Sequence, residues 1–572
     1  MMTFGRRIAS RFMRLRIGMK GAAMLKRLNA ESKDVKRAQA NVLNDILSYA
    51  GDTIYGLEHG FSTVRSPAEF KDSVPVNTYE DLRPYVRRHE EGESNVLFPG
   101  KPMFYATTSG TTDAPKRIPI TRKYHDECYN GLSNIWLHSM FQESPGFMNG
   151  YDISMVGKAI EGYTADGTSY GSFSGHMNAY MPEFIKRFRV IPFEIHDIDD
   201  YPSRYYALLR VGLTYPIRWI VAANPSTLLE LHRASMMNIE SIIKDIHDGT
   251  LKEHLNISAP IRARIEARLK PCPKRAKTLE RLLDQWGNAL RPRHYWPSLQ
   301  MINTWKSGNA GVYLEQTADF YSPQTVIREF GYLATEARAG IVLNKNQETS
   351  ILACHLLYFE FVDRDDLDNT HPTYLCAHEL EKGREYAIYI TTPSGLYRYN
   401  INDIVRVEDF HGTFPMVRFV QKGSGVTSMT GEKLYESQYL IAVNKSMHDL
   451  NIQPGFHLAF ADIERSVYHC FVELEQRSIE QDKIIARLSA DIDDTLQQMN
   501  PEYAAKRKSN RLGPLQVHSL QPNAFAAYKT EKLKQGHREG QFKMTHLQQD
   551  PSQMRLFFDL CNNESKSTGG NL

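Results

Sequence analysis

Six consecutive residues, Thr107-Thr108-Ser109-Gly110-Thr111-Thr112, carry five hydroxyls around one glycine, and Asp113-Ala114-Pro115-Lys116 follows. Phe104–Ala106 before them and Arg117–Ile120 after them read as short strands. A tight turn of this composition offers backbone N–H groups and hydroxyl donors to a single anion, and Lys116 adds a point charge. The spacing is not that of the helix-opening phosphate loop, and a hydroxyl-rich hairpin that binds nothing has the same composition. Tyr332-Leu333-Ala334-Thr335-Glu336 follows a strand expected at Val326–Phe330. A carboxylate at a strand end suits the magnesium of a nucleotide, since that cation takes one or two hard oxygen ligands from protein. Gly395-Leu396-Tyr397-Arg398-Tyr399-Asn400-Ile401-Asn402-Asp403 ends in a carboxylate able to accept from both hydroxyls of a ribose. Gly540-Gln541-Phe542-Lys543 places a lysine near the end of the chain, where it could be swung into a distant site. Taken singly, these are also a surface glutamate, a turn aspartate and an exposed lysine.

The elements that must position them follow from length and periodicity. A chain of 572 residues exceeds one core and implies two or three compact units. Val35, Ala38, Val42, Leu43, Ile46, Leu47 and Ala50 form one apolar stripe, which predicts a helix from Ser32 to Ala50. Helices alternate with strands up to about residue 350, strands dominate from Ser350 to Val420, and a small α+β unit follows. The expected fold is therefore α/β. It has a basic N-terminal segment (1–34), a large domain of mixed sheets and helices (35–420), a hinge (421–425), a small mobile α+β domain (426–561) and a frayed tail (562–572). Ser226 or Thr227 is the expected cap of a helix after Asn224-Pro225.

Composition narrows the partners. The formal charge is +3, so no polyanionic partner is implied overall. The six cysteines are scattered with no C-x-x-C pair, which argues for a reducing, cytoplasmic setting. No apolar run reaches the length of a membrane span. The first thirty residues carry eight Lys or Arg and no acid. They read as a solvated helix laying Ile8, Phe12, Leu15 and Met19 against the body, with a membrane-surface or targeting helix as the alternative. Ten basic and three acidic residues between 260 and 295 read as a solvated helical face rather than a nucleic-acid patch, because aromatics do not interleave before Trp286.

Together the motifs resemble the adenylate-forming superfamily. Within it, the chain is similar to the auxin-responsive acyl-acid amido synthetases of plants and their bacterial relatives. The likeness spans roughly residues 35–550 and rests on Thr108–Lys116, Tyr332–Glu336 and Gly395–Asp403. Phe70–Pro75, Asn224–Leu229, Ser307-Gly308 and Gly311-Val312-Tyr313 are further marks of that branch. The resemblance implies ATP and Mg²⁺ as cofactors, and a carboxylic acid and an amino acid or other amine as substrates. Thr108, Ser109, Gly110, Thr111 and Thr112, with Lys116, would hold the terminal phosphates, Thr335 the α-phosphate and Glu336 the Mg²⁺. Tyr332, Ser307 and Gly308 would border the adenine, Asp403 would take the ribose, and Lys543 would approach the reacting oxygens on closure. Lys422 stands where relatives carry a hinge Arg. Two departures stand out: Asn402 replaces the family's Gly before Asp403, which Asn's tolerance of left-handed backbone allows, and Asn400 replaces an Arg. A coenzyme A ligase and a non-catalytic nucleotide-binding relative share the first set of residues and remain alternatives.

Overall fold

The computed structural model describes residues 4–108, 115–181, 186, 189–307, 310–367, 369–423, 425–452, 456–474, 481–521, 524, 528 and 546–562. The chain divides into two units. One comprises Met1–Thr108 with Lys116–Gln421, and the other is built around Lys422–Leu572.

Among the described residues, the larger unit holds three sheets. The first, in order β2-β1-β5-β4, is built from β1 (Phe104–Thr108), β2 (Lys116–Ile120), β4 (Gly162–Tyr163) and β5 (Ser169–Gly171). β1 and β2 form an antiparallel hairpin in which Thr108 pairs with Lys116. The second is wholly parallel, in order β3-β6-β7-β8: β3 (Tyr151–Ser154), β6 (Ile217–Val221), β7 (Met301–Thr304) and β8 (Val326–Glu329). Met301, Ile302, Asn303 and Thr304 of β7 are all buried, as strands covered on both faces must be. The third has seven strands, in order β12-β11-β13-β14-β15-β10-β9: β9 (Gly340–Ile341), β10 (Ser350–Leu352), β11 (Tyr358–Asp363), β12 (Leu375–Cys376), β13 (Glu385–Thr391), β14 (Tyr399–His411) and β15 (Phe414–Lys422). In the smaller unit β16 (His457–Asp462) and β17 (Val467–Val472) pair antiparallel, flanked by β18 (Gln516–Ser519) and β19 (Leu547–Gln548). This is the α/β architecture expected of the sequence.

Helix α1 (Phe4–Glu31) corrects one expectation. Leu15 and Met19 are 62% and 67% exposed, while Ile17 and Leu28 are buried; the side chains of Ile8 and Phe12 lie outside the described residues. The inward seam is Ile17, Gly21 and Leu28, with Met24 half-buried, and it packs on α3 (Asn130–Glu143); α2 (Val35–Ala50) lies between them in the chain. A Cβ on Gly21 would sit 2.3 Å from His138 Cβ and 2.4 Å from the Asn134 carbonyl oxygen. Closeness selects this face, and a glycine carries no hydrophobic signal. Gly21→Val is expected to destabilise the chain by about 1–3 kcal/mol, and Met19→Gln to change it by about 0.5 or less. Denaturant midpoints with equal shifts for the two variants would refute this packing.

The N-terminus of α2 also shifts. Asp34 accepts from Arg37 N at 3.0 Å, so the helix begins at Val35 rather than Ser32. Helix α5 (Ser226–Asp248) is not capped by Ser226 or Thr227, since both lie inside it; α4 is Tyr201–Gly212. Instead, Asn224 Oδ1 accepts from Ser226 N at 2.9 Å and turns the chain into the helix. The basic stretch contains α6 (Ala259–Glu266) and α7 (Pro273–Trp286) and is partly internal. Arg262 donates to four carbonyls between Leu251 and Leu255, and Arg275 donates to those of Leu213 and Tyr295.

All six cysteines carry free thiols. Among the described residues no helix is long and apolar enough to cross a membrane. Burial, aided by the charge of Arg27, lowers His355 from 6.5 to about 3. The folded chain then binds fewer protons at this site than the unfolded chain between those values. This contribution to stability is present above about pH 6.5 and is lost as the pH falls, by up to about 1.4 kcal/mol per pH unit. His355→Phe, which keeps the ring near Phe414, is expected to lose less stability than the parent between about pH 7 and pH 5. Parallel urea-midpoint profiles would contradict this.

Candidate active site

Three of the motifs sit at one edge of the parallel sheet. Asn224 follows β6, Ser307 follows β7, and Tyr332–Glu336 follows β8. Parallel strands send all their carboxyl ends to the same side, where ligands of α/β sheets bind. Backbone bonds tie the three together: Trp305 N donates to the Ala223 carbonyl at 2.8 Å, and Phe330 N to that of Thr304 at 3.1 Å.

Glu329, which the sequence reading passed over, fixes this edge. It is 2% exposed and closes β8. Its Oε2 accepts from Lys306 N at 2.6 Å and Ser307 Oγ at 3.4 Å, and its Oε1 from Gly331 N at 3.0 Å. Burial pushes this carboxyl up, and the backbone donors pull it back down. Gly331 has φ +97, a conformation that needs glycine, and redirects the chain so that Tyr332 N reaches Ser350 Oγ at 2.9 Å. The available signal was an acid ending a strand that must be buried on both faces.

Beyond Gly331 the chain makes a tight hairpin. Leu333 bridges Arg338, and Ala334 N donates to the Ala337 carbonyl at 2.9 Å. Thr335 and Glu336 form its tip, yet Glu336 is only 6% exposed.

Asp403 arrives from the seven-stranded sheet. Ile388 of β13 pairs with Asp403 of β14, and the next residue, Tyr389, pairs with Asn400. Ile401 and Asn402 are thus extruded as a bulge. Asn402 has φ +57, the left-handed geometry its replacement of glycine requires, and its N–H donates to Asn400 Oδ1 at 2.8 Å. The two departures from the family pattern therefore support each other. Asp403 is 3% exposed.

A side-chain hydrogen bond links the hairpin beyond Gly331 to β14: Tyr332 Oη donates to Asp403 Oδ2 at 2.8 Å across 71 positions of sequence. Burial, with the charges of Asp403 and Glu336, pushes the Tyr332 phenol well above its ordinary range, so it remains a donor. Arg398 anchors the start of β14. It is 4% exposed, and its Nε lies 3.1 and 3.0 Å from the Glu360 oxygens. Its Nη1 donates to the carbonyls of Lys71 at 2.9 Å and Val74 at 2.7 Å, which explains the Phe70–Pro75 mark.

Arg338, two positions past Glu336, lies over the rings of Tyr129 and Trp136 on the α3 side, and its Nη1 donates to Ser133 Oγ at 2.9 Å. Among the described residues, its Nε and Nη2 and Trp136 Nε1 have no hydrogen-bond partner. This is a set of donors without acceptors. Lys116 and Thr108 stand at the base of the hydroxyl-rich hairpin, and Lys422 ends β15. Ser109, Gly110, Thr111, Thr112, Gly308 and Lys543 lie outside the described residues.

Residues 24–327, more than half of the chain, match the GH3 family N-terminal domain. The chain belongs to the GH3 family. Residues 350–422 match the GH3 central domain and 440–552 its C-terminal domain. The GH3 chain is 23% identical over 517 residues to the jasmonoyl–L-amino acid synthetase JAR4 of Nicotiana attenuata, covering 86% of this chain and 88% of that one. It is 25% identical over 561 residues to the indole-3-acetic acid-amido synthetase GH3.15 of Arabidopsis thaliana, covering 91% and 92%. The solved structure of GH3.15 acyl acid amido synthetase matches with a TM-score of 0.63 at 22% identity, covering 94% of this chain and 96% of that one, and shares its fold.

Proposed function

We propose that this chain is an ATP-dependent acyl-acid amido synthetase. The observation that carries the reading is the Tyr332–Asp403 bond, which joins the hairpin bearing Glu336 to the bulge bearing Asp403. Family membership and the names of the relatives support it.

In the first step a carboxylate oxygen of the acid bonds to the α-phosphorus of ATP. The bond from that phosphorus to the bridging oxygen breaks, and pyrophosphate leaves. In the second, a neutral amine bonds to the acyl carbon, gives up a proton to solvent and expels AMP, leaving an amide. The protein's work is positioning and charge neutralisation. Asp403 accepts from the ribose hydroxyls. Thr335 donates to the α-phosphate. Ser307 and Gly308 border the adenine beside Tyr332. Thr108 through Thr112, with Lys116, cradle the terminal phosphates, and Lys543 neutralises charge at the reacting oxygens when the small domain turns about residues 421–425. Glu336, a buried carboxylate and so a hard-oxygen donor, would hold Mg²⁺. When bound, that ion neutralises phosphate charge.

The acid lies along α3, where the donors of Arg338 and Trp136 meet its acceptor atoms. A screen of pyrophosphate release over carboxylic acids crossed with the twenty amino acids tests the reading. Release that needs one acid, with amide and AMP formed only when an amino acid is added, is the expected result. Dependence on coenzyme A with indifference to amino acids, or no acid-dependent release, would overturn it.

A further inference from the structure

A second built site lies at the other end of the parallel sheet. A cavity of about 730 Å³ is lined by the loop 189–193, by Arg210 and Val211 near the end of α4, by Thr214 and Tyr215 before β6, and by residues 268–272 between α6 and α7. These lead into β6, whereas Asn224 and its companions follow the strands, so the cavity shares no residue with the Tyr332–Asp403 site. Its size is that of a small-molecule pocket.

Its lining is cationic and apolar. Lys186, Arg189, Arg210, Arg268 and Lys270 line it from separate segments, beside Ile191, Phe193 and Leu269, with no carboxylate among its described lining residues. Three acids stand behind the cations. Asp152 is 3.7 Å from Arg189, Glu194 is 3.0 Å from Arg268, and Asp245 acts on Arg210. Lys270 has no ion pair among the described residues. Arg210 is 1% exposed. Its Nε donates to the Thr250 carbonyl at 2.9 Å and its Nη1 to Thr214 Oγ1 at 3.0 Å, but Nη2 has no partner among the described residues. A buried guanidinium left short of an acceptor is costly unless a ligand supplies one.

We infer that this cavity binds a phosphate monoester with an apolar body. Cations converging from separate segments suit an anion with three acceptor oxygens, rather than a planar carboxylate with two. The apolar wall of Ile191, Phe193 and Leu269 takes the ester group.

Cys272, half-buried in the lining, reports occupancy at this site alone. Its alkylation by iodoacetamide is followed by peptide mass spectrometry in the full-length protein, with phenyl phosphate, phenol and inorganic phosphate as probes. Millimolar phenyl phosphate is expected to slow alkylation by about tenfold, a difference of about 1.4 kcal/mol, with phenol and inorganic phosphate much weaker. Arg268→Gln with Lys270→Gln, both exposed positions, is expected to remove the protection, and Glu336→Ala to keep it. Alkylation unchanged by phenyl phosphate, or protection that survives the double substitution, would overturn the site. Equal protection by inorganic phosphate would overturn the monoester, and loss of protection in Glu336→Ala would assign the effect to the reaction site.

Discussion

Glu336→Ala is expected to lower acid-dependent pyrophosphate exchange by about a thousandfold and to leave the melting temperature nearly unchanged. Both halves follow from its place. The side chain is 6% exposed at a two-residue hairpin tip whose form is set by the backbone bonds of Leu333, Ala334, Ala337 and Arg338. Alanine leaves those backbone bonds intact. The rate falls because the charge of the α-phosphate then develops without its counterion at the correct point. Glu336→Gln should lose nearly as much, since a neutral amide is a poor ligand for a hard cation. Exchange at the parent rate in either variant would remove Glu336 from the chemistry, while a large drop in melting temperature with activity retained in the folded fraction would make it structural.

The second large effect is on stability. Glu360→Gln is expected to cost about 3–5 kcal/mol, because it leaves the buried guanidinium of Arg398 without its counter-charge. Glu360 is 1% exposed and Arg398 is 4% exposed. Burial pushes the Glu360 carboxyl up while Arg398 draws it down, so the carboxylate depends on its partner. Arg398 also has φ +43, a strained backbone for a side-chain residue, which its bonds to Glu360, Lys71 and Val74 hold in place. Adding Arg398→Met to Glu360→Gln should recover part of the loss, since removing both charges is milder than stranding one. Denaturant midpoints measure this, and a double variant less stable than Glu360→Gln would show that the pair is not coupled. Asp403 lies five residues beyond Arg398, so the single variant should also weaken nucleotide affinity.

The legible part of the fold was whatever wrote itself in large apolar side chains. The stripe of α2, the strands β11 and β13 and the α/β class could be read from spacing. Helix α1 could not be oriented, because its seam is marked by Gly21, whose contribution is closeness rather than hydrophobicity. Glu336 and Asp403 could be named as candidates from type and position, but the Tyr332–Asp403 bond that links their segments depends on two sheets docking and no local pattern encodes it. Glu329 and Arg338 escaped notice because a charged residue reads as surface until the sheet that buries it is known. Asn402 was readable in advance: a residue that tolerates left-handed backbone stands where the bulge needs φ +57.

The central claim is that the carboxylate oxygen itself attacks the α-phosphorus. With the acid and amino acid selected by the screen, a heavy-oxygen-labelled carboxylic acid is turned over and the products are weighed by mass spectrometry. The predicted result is one heavy oxygen in AMP, one retained in the amide and none in pyrophosphate. Label in inorganic phosphate or pyrophosphate, or AMP that carries none, would contradict it.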